Sequence, residues 1–350
     1  MNASQAKDPV RAVIVGLGTH GRSIVGAGVE AGVHFVAAVD PFQASKDLGE
    51  LTGVELAAGV TVAESADALD WASLQADIAI VAIKAPPANV VALMQDLLRK
   101  NLDVVTIVED IYDLRLIDPE LHAQLDQTAR EHGKTAVATG SQDIAWVGLT
   151  TAATGLVRDL KYVELKQHLG VDGYPEDFVR WVGIGCTETE WQEAAENAGR
   201  TPSVFGGILP TMARSMGLTP GTGNRDMSIF TLDHDVESET FGRTIKAGDP
   251  AGRRDLVTLD TLEGVRFSAE LITSVVMDQD DFSAAVQGEH RVEINHKLLP
   301  GPPSVDATLI NRLPDVIAAP PGVIATTKLP LPRYRQTVRN FAKEDKEAVV

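Results

Sequence analysis

Residues Val10–Asp40 read VRAVIVGLGTHGRSIVGAGVEAGVHFVAAVD, and this stretch decides the fold. The apolar run Ala12–Val15 predicts a buried parallel strand. Gly16-Leu17-Gly18-Thr19-His20-Gly21 follows and fits G-x-G-x-x-G. A helical pattern runs from about Arg22 to Ala31, and a second apolar run, Phe35–Val39, ends at Asp40. The spacing has a physical reading. Gly16 permits the tight turn, Gly18 lets backbone approach a pyrophosphate, and Gly21 lets helix and strand pack closely. The amides of Thr19, His20 and Gly21 at the helix start then face the anion. Asp40 stands about 20 residues past the last glycine, where a carboxylate accepts from the ribose hydroxyls of a dinucleotide. A glycine-rich turn in another kind of α/β protein would leave that aspartate unexplained.

Working outward, strand and helix patterns alternate as far as about residue 145. A short helix is expected over Lys46–Leu51, a weak strand over Gly59–Val62, and a helix capped by Ser65 through about Leu74. Asp77–Ile83 predicts a strong buried strand, followed by Lys84-Ala85-Pro86-Pro87 and a helix from Asn89 to about Lys100. Asp103–Val108 predicts the next strand, ending in Glu109-Asp110. Asp118 and Pro119 open a further helix as cap and first-turn proline. Thr135–Ala138 is the last strand of the series. This alternation implies a parallel sheet with right-handed crossovers and ligands at the strands' carboxyl ends.

After residue 145 the pattern changes. Ile144–Val157 predicts an apolar connecting helix, and Leu160–Leu169 an alternating strand. Thr187–Ala198 is an acidic helical stretch, and Ser203 is placed to cap a helix through Met216. Ser228–Thr240, Leu256–Val276 and Arg291–Leu298 alternate, which implies a largely antiparallel sheet with one covered face. Pro302–Pro332 reads as a proline-rich loop with a helix from Val305. The expectation is therefore an α/β protein in three parts. Residues 1–145 form a Rossmann dinucleotide-binding domain, residues 146–303 an α+β substrate and dimerisation domain, and residues 304–350 a segment returning to the first domain.

Composition narrows the partners. The chain has 350 residues, 44% of them hydrophobic, a formal net charge of −18 and a pI near 4.8. Two domains are the natural prior. The acidic balance argues against nucleic acid and anionic membrane. A lone cysteine, Cys186, forbids an intrachain disulfide and points to a reducing cytoplasm. The N-terminal MNASQAKDPVR lacks the apolar core of a signal peptide, and no membrane span is expected. No His, Cys and acid spacing resembles a metal site.

Three stretches resemble the 2,4-diaminopentanoate dehydrogenases and native amine dehydrogenases, which share the dihydrodipicolinate reductase-like fold. They are the fingerprint with Lys46-Asp47-Leu48-Gly49-Glu50-Leu51, the strand Asn101–Val108 ending in Glu109-Asp110, and the tail Ala307–Gly322 (ATLINRLPDVIAAPPG). The resemblance implies NAD(P)H-dependent interconversion of an amine with a carbonyl plus ammonia, with Glu109 as acid/base. NAD is the expected cofactor, NADP a possible one, and a small amine or carbonyl the substrate. The family's Gly-x-x-Pro-Gly-Phe type loop is replaced here by Gly140-Ser141-Gln142-Asp143-Ile144-Ala145-Trp146. Sugar and polyol dehydrogenases of the Gfo/Idh/MocA type share the domain plan, but carry Glu-Lys-Pro where this chain has Glu109-Asp110-Ile111. A non-catalytic dinucleotide sensor is the third reading.

The remaining candidates follow by position. Glu109 is suited to take a proton from an ammonium, with Asp110 as the fallback. Lys84 either polarises a carbonyl, meets cofactor phosphates, or is a solvated loop lysine, and Pro86 shapes the cofactor's edge. Gln142, Asp143 and Trp146 form a substrate wall, or else Asp143 caps a helix and Trp146 is core. His168 ends a strand from which it reaches a substrate pocket. His290 and His296 are expected on a solvated strand face, and Trp181 and Trp191 in packing or as lids. A homodimer built on the second domain's sheet is expected.

Overall fold

The computed structural model describes residues 9–181, 184, 187–199, 203–275, 281–297 and 302–338. The chain divides into two compact units, residues 1–144 with 301–350, and residues 145–300.

The first unit opens with β1 (Arg11–Val15), α1 (Thr19–Glu30), β2 (His34–Val39), α2 (Leu48–Thr52) and β3 (Val62–Ala63). It continues with β4 (Ile78–Val81), α3 (Pro87–Arg99), β5 (Asp103–Thr106), α4 (Leu114–Ile117), α5 (Pro119–Glu131) and β6 (Thr135–Ala138). The second unit holds α6 (Leu149–Thr154), β7 (Tyr162–Gly170), α7 (Glu176–Trp181), α8 (Glu188–Gly199) and α9 (Val204–Ser215). Its remaining strands are β8 (Pro220–Thr231), β9 (Val236–Ser238), β10 (Arg243–Ile245), β11 (Pro250–Thr261), β12 (Arg266–Ser274), β13 (Asp281–Gln287) and β14 (Arg291–Lys297). The chain then re-enters the first unit with α10 (Pro302–Ala318) and β15 (Gly322–Val323).

Among the described residues the first unit's sheet has seven strands in the order β15-β6-β5-β4-β1-β2-β3, all paired in parallel. The chain leaves β1 in one direction through β2 and β3, then returns to the other side through β4, β5 and β6. The order reverses between β1 and β4, which is where such sheets bind ligands. Both faces are covered, so β4 and β5 are buried along their whole length. One core unites Ile14, Ile24, Val25 and Phe35 with Leu309, Leu313 and Val316 of α10. The other unites Val13 and Val81 with Met94, Leu97 and Leu98 of α3 and Leu125 of α5. Each such side chain contributes roughly 1.5–3 kcal/mol of burial. Local chemistry sets the helix starts. Asp118 accepts from the amides of Glu120 and Leu121 at 3.1 and 3.0 Å, and Asp47 accepts from Glu50 at 3.1 Å.

In the second unit the described main sheet runs β14-β13-β7-β12-β11-β8. Only β7 and β12 pair in parallel, so the sheet is largely antiparallel. Helices α6, α8 and α9 pack on it. Its apolar side carries Val163, Leu165, Phe267, Ala269, Ala284 and Val286, all buried. Its other side carries Glu164, Lys166 and His168 with their cross-strand partners Glu270 and Ser283.

Several local expectations are corrected. Ser65 caps no helix: a single 3-10 turn, Ala66–Ala68, ends as Leu69 turns extended. Leu69, Trp71 and Leu74 instead pack against the α3 side of the sheet, and the Trp71 indole donates to the Ala66 carbonyl at 2.8 Å. The stretch Leu256–Val276 is two strands, because a turn at Thr261–Val265 reverses the chain. Strand β13 escaped the pattern altogether. The connecting helix is a π-helical segment, Asp143–Gly148, followed by α6. Helix α10 begins at Pro302, so its prolines form the first turn and not a loop. His296 is not on a solvated face. It shares a side with Val292 and Ile294, pairs across from Phe282 and stacks on that ring at 4.5 Å. Cys186 lies outside the described residues.

Candidate functional site

The fingerprint loop joins β1 to α1 as its spacing requires. Gly16 has φ +94°, and a Cβ there would collide with the Ala82 carbonyl. A Cβ on Gly21 would run into the Gly16 carbonyl oxygen. Gly18 is the reverse case, exposed at the N-cap of α1 with nothing within 4 Å of an added Cβ. The loop is therefore closed where the chain packs and open where a phosphate would approach. Thr19 and His20 form the first turn, whose amides have no partner inside the helix. These residues fit a dinucleotide pyrophosphate.

Asp40 holds this loop in place. One of its oxygens accepts from the Leu17 amide at 2.7 Å, the other from the Phe42 amide at 2.8 Å. It is 8% exposed. Each carboxylate oxygen retains a second acceptor position, so both ribose hydroxyls still have sites. The bond to Leu17 was not foreseen; only the co-location of the β1 and β2 ends could have suggested it.

The sheet order sets the other candidates along the same edge. Lys84 follows β4 and is exposed, and Pro86 is the N-cap of α3. Glu109 follows β5 and opens a 3-10 turn, Glu109–Ile111. Its side chain keeps open surface while protein atoms crowd around it. Among the described residues no hydrogen-bond donor reaches its carboxyl. Desolvation, and then the charge of Asp110, pushes its pKa above the usual glutamate range. Tyr112, one turn on, places its hydroxyl 2.7 Å from Thr326 Oγ1. Burial, reinforced by Asp143, raises its pKa and keeps the phenol neutral. Sequence reasoning passed over Tyr112.

The segment after β6 holds two contrasting residues. Gln142 is 1% exposed, and among the described residues neither its Oε1 nor its Nε2 has a hydrogen-bond partner. An unsatisfied buried polar group costs about 1–3 kcal/mol. Asp143, next in sequence, is fully engaged. Its oxygens accept from Arg312 Nη2 at 2.7 Å and Nε at 2.9 Å, and one also accepts from Thr139 Oγ1 at 2.8 Å. Arg312 is itself fully buried and donates to the Pro330 carbonyl. Asp143, 2% exposed, is thus a clamp for the returning chain and has no surface to present to a substrate. That corrects its place in the substrate wall. Arg312, an arginine on an otherwise apolar helix face, was the available signal.

Two candidates belong to the second unit. Trp146 is buried with its ring 4.9 Å from Phe205, the core alternative. His168 stands on the polar side of the sheet, its Nε2 2.7 Å from Ser274 Oγ and its ring edge-on to Phe230. It borders an open depression of about 630 Å³ with Lys166, Glu270 and His296. On the apolar side, Arg225 pairs with buried Asp255 at 2.7 Å beside buried Arg253, charges that sequence reasoning also missed.

Fold and fingerprint together define the class, a two-domain oxidoreductase that uses a dinucleotide. No protein-family model and no curated protein matches the sequence. Solved structures do match. An amine dehydrogenase from Mycobacterium smegmatis superposes with a TM-score of 0.80 at 28% identity, covering 94% of this chain and 98% of that one. The resemblance to amine dehydrogenases is thereby borne out. A probable dehydrogenase from Thermotoga maritima (TM-score 0.58, 14% identity, 91% and 92% covered) shares the fold. So does a myo-inositol 2-dehydrogenase from Lactobacillus plantarum (0.52, 15%, 82% and 76%). Among the described residues, no helix is long and apolar enough to cross a membrane.

Proposed function

We propose that the protein interconverts an amine and a carbonyl compound, with NAD as its preferred cofactor and Glu109 as its acid/base. The observation that carries this reading is the state of Glu109. It is a carboxyl at the end of the strand two places from the fingerprint, with no hydrogen-bond partner among the described residues and a pKa pushed up by the atoms crowded around it. The likeness to an amine dehydrogenase over nearly the whole chain supports the substrate class.

In this reading the backbone of Gly16–Gly21 holds the pyrophosphate and Asp40 the adenosine ribose. Lys84 and Pro86 border the cofactor beyond β4. The bound nicotinamide supplies or accepts the hydride. Glu109 takes a proton from the substrate ammonium, leaving a free amine able to release hydride from its carbon. In the reverse direction it returns that proton to nitrogen. A raised pKa suits both tasks, because the group holds its proton to higher pH than an ordinary glutamate. The unsatisfied amide of Gln142 offers a donor and an acceptor to the substrate. A sugar substrate is disfavoured because Asp110 stands where the sugar dehydrogenases carry a lysine.

The test is a panel of primary amines, of ketones with ammonia, and of polyols, each with NAD(H) and NADP(H), followed by reduced-nicotinamide absorbance. Turnover of amines supports the reading; turnover of polyols alone overturns it. We further propose a homodimer through the polar side of the second unit's sheet, where His168 lies. A monomer by light scattering at working concentrations would refute it.

A further inference from the structure

The helix-covered side of the second unit's sheet carries three charges close together. Arg253 and Asp255 stand two residues apart on β11 and so share a face. Register sets Val257 of β11 opposite Arg225 of β8, and Asp255 opposite Met227. Arg225 is therefore the diagonal neighbour of Asp255 on that face. Its Nε and Nη2 donate to the two Asp255 oxygens at 2.9 and 2.7 Å. That pair is closed, since both carboxylate oxygens meet one guanidinium.

Arg253 is left over. It is 9% exposed, and its Nε is buried without a hydrogen-bond partner. Among the described residues its guanidinium makes no hydrogen bond or ion pair. Burial pushes its pKa below the usual arginine range; Asp255 opposes this and Arg225 reinforces it. An arginine so placed still keeps its proton, so the sheet carries a buried cation at a cost to stability.

The fold has no need of this charge. Ala251, Val257 and Leu259, on the same face of β11, are buried and apolar, and a methionine at 253 would fill similar space without desolvating a charge. What the bare guanidinium offers is a planar fork of donors that matches the two oxygens of a carboxylate. We propose that Arg253 anchors a binding site in the second unit for an organic monocarboxylate. The charge count selects that class. Arg225, Arg253 and Asp255 sum to one positive charge, and one carboxylate neutralises it. A phosphate dianion would bring a second negative charge beside Asp255, with Arg225 already committed to that aspartate. The inference stands apart from the amine–carbonyl reading and from the dinucleotide site.

The experiment is calorimetric titration of the full-length protein with acetate, butyrate and phenylacetate, with butyramide and inorganic phosphate as controls. Melting temperatures without ligand are measured on the same preparations. At least one carboxylate should bind the parent, with butyramide and phosphate weaker by roughly tenfold or more, the scale of a charge-assisted hydrogen bond. R253M should lose carboxylate binding by a similar factor and melt no lower than the parent, a combination that a merely structural arginine would not give. If R253M does not fold, R253K serves. It keeps the charge and loses the fork, so its carboxylate affinity should fall several-fold. Failure of all three carboxylates to bind the parent would overturn the proposal. So would undiminished binding in either variant, phosphate binding as tight as the carboxylates', or an R253M protein that melts well below the parent.

Discussion

Asp40 and Glu109 are both carboxylates at the carboxyl ends of strands in one parallel sheet, yet their surroundings differ in kind. Asp40 is buried and pinned by two backbone amides, 2.7 and 2.8 Å away. Glu109 has no donor among the described residues, an open surface between crowded walls, and a neighbouring like charge. A carboxyl held by donors keeps its place. One denied donors holds its proton to higher pH. The first condition suits an anchor and the second suits proton transfer, so the contrast assigns different tasks to two otherwise similar side chains.

The comparison breaks most visibly at Glu109. Glu109→Gln should cut kcat on the true substrate by about 10²–10⁴-fold while leaving the Kd for NADH nearly unchanged. Steady-state kinetics and binding on one preparation decide it, and near-normal turnover would pass the role to Asp110.

A second cut falls on Arg312, which fixes the segment beside Gln142. Arg312→Ala strands Asp143 as a buried unpaired charge, and should cost about 3–5 kcal/mol of stability. Urea unfolding followed by circular dichroism reads this directly.

At the anchor the effect is smaller. Asp40→Ala removes charge-assisted bonds worth about 1.5–3 kcal/mol. NAD affinity should fall by roughly tenfold or more, and NADP affinity by less, since the repulsion of a 2′-phosphate goes with the charge. An unchanged ratio of the two constants would strip Asp40 of its ribose role.

The smallest effect sharpens the contrast. Because the folded pKa of Glu109 is raised, the stability tied to its proton is complete below the unfolded carboxylate value and is lost as pH rises through the folded one. Glu109→Gln should therefore melt above the parent at pH near 8 and together with it at pH near 4. Scanning calorimetry at the two pH values tests the sign.

These contrasts were unevenly legible in the sequence. The fingerprint, the alternation of strands with helices and Asp40 could be read because each depends on neighbours close along the chain. Glu109 was placed by the resemblance and by its strand end, but its lack of donors was not visible. Asp143 was misjudged because its partner, Arg312, lies 169 residues away, and no local pattern reports so distant a pairing. His296 was misplaced because one alternating strand fits either face until its register with Phe282 is known. The Ser65 helix failed because burial of Leu69, Trp71 and Leu74 outweighed a good capping residue.

The discontinuity of the first unit bears on how the protein is made. Its opening 144 residues leave the ribosome long before α10 does. Until then Ile24, Val25 and Phe35 lack the cover of Leu309, Leu313 and Val316, and Asp143 has no arginine to meet. The nascent chain must therefore carry an unfinished nucleotide-binding half while all of the second unit is synthesised. A chaperone acting on this protein would find its longest-lived apolar target on the outer face of α1.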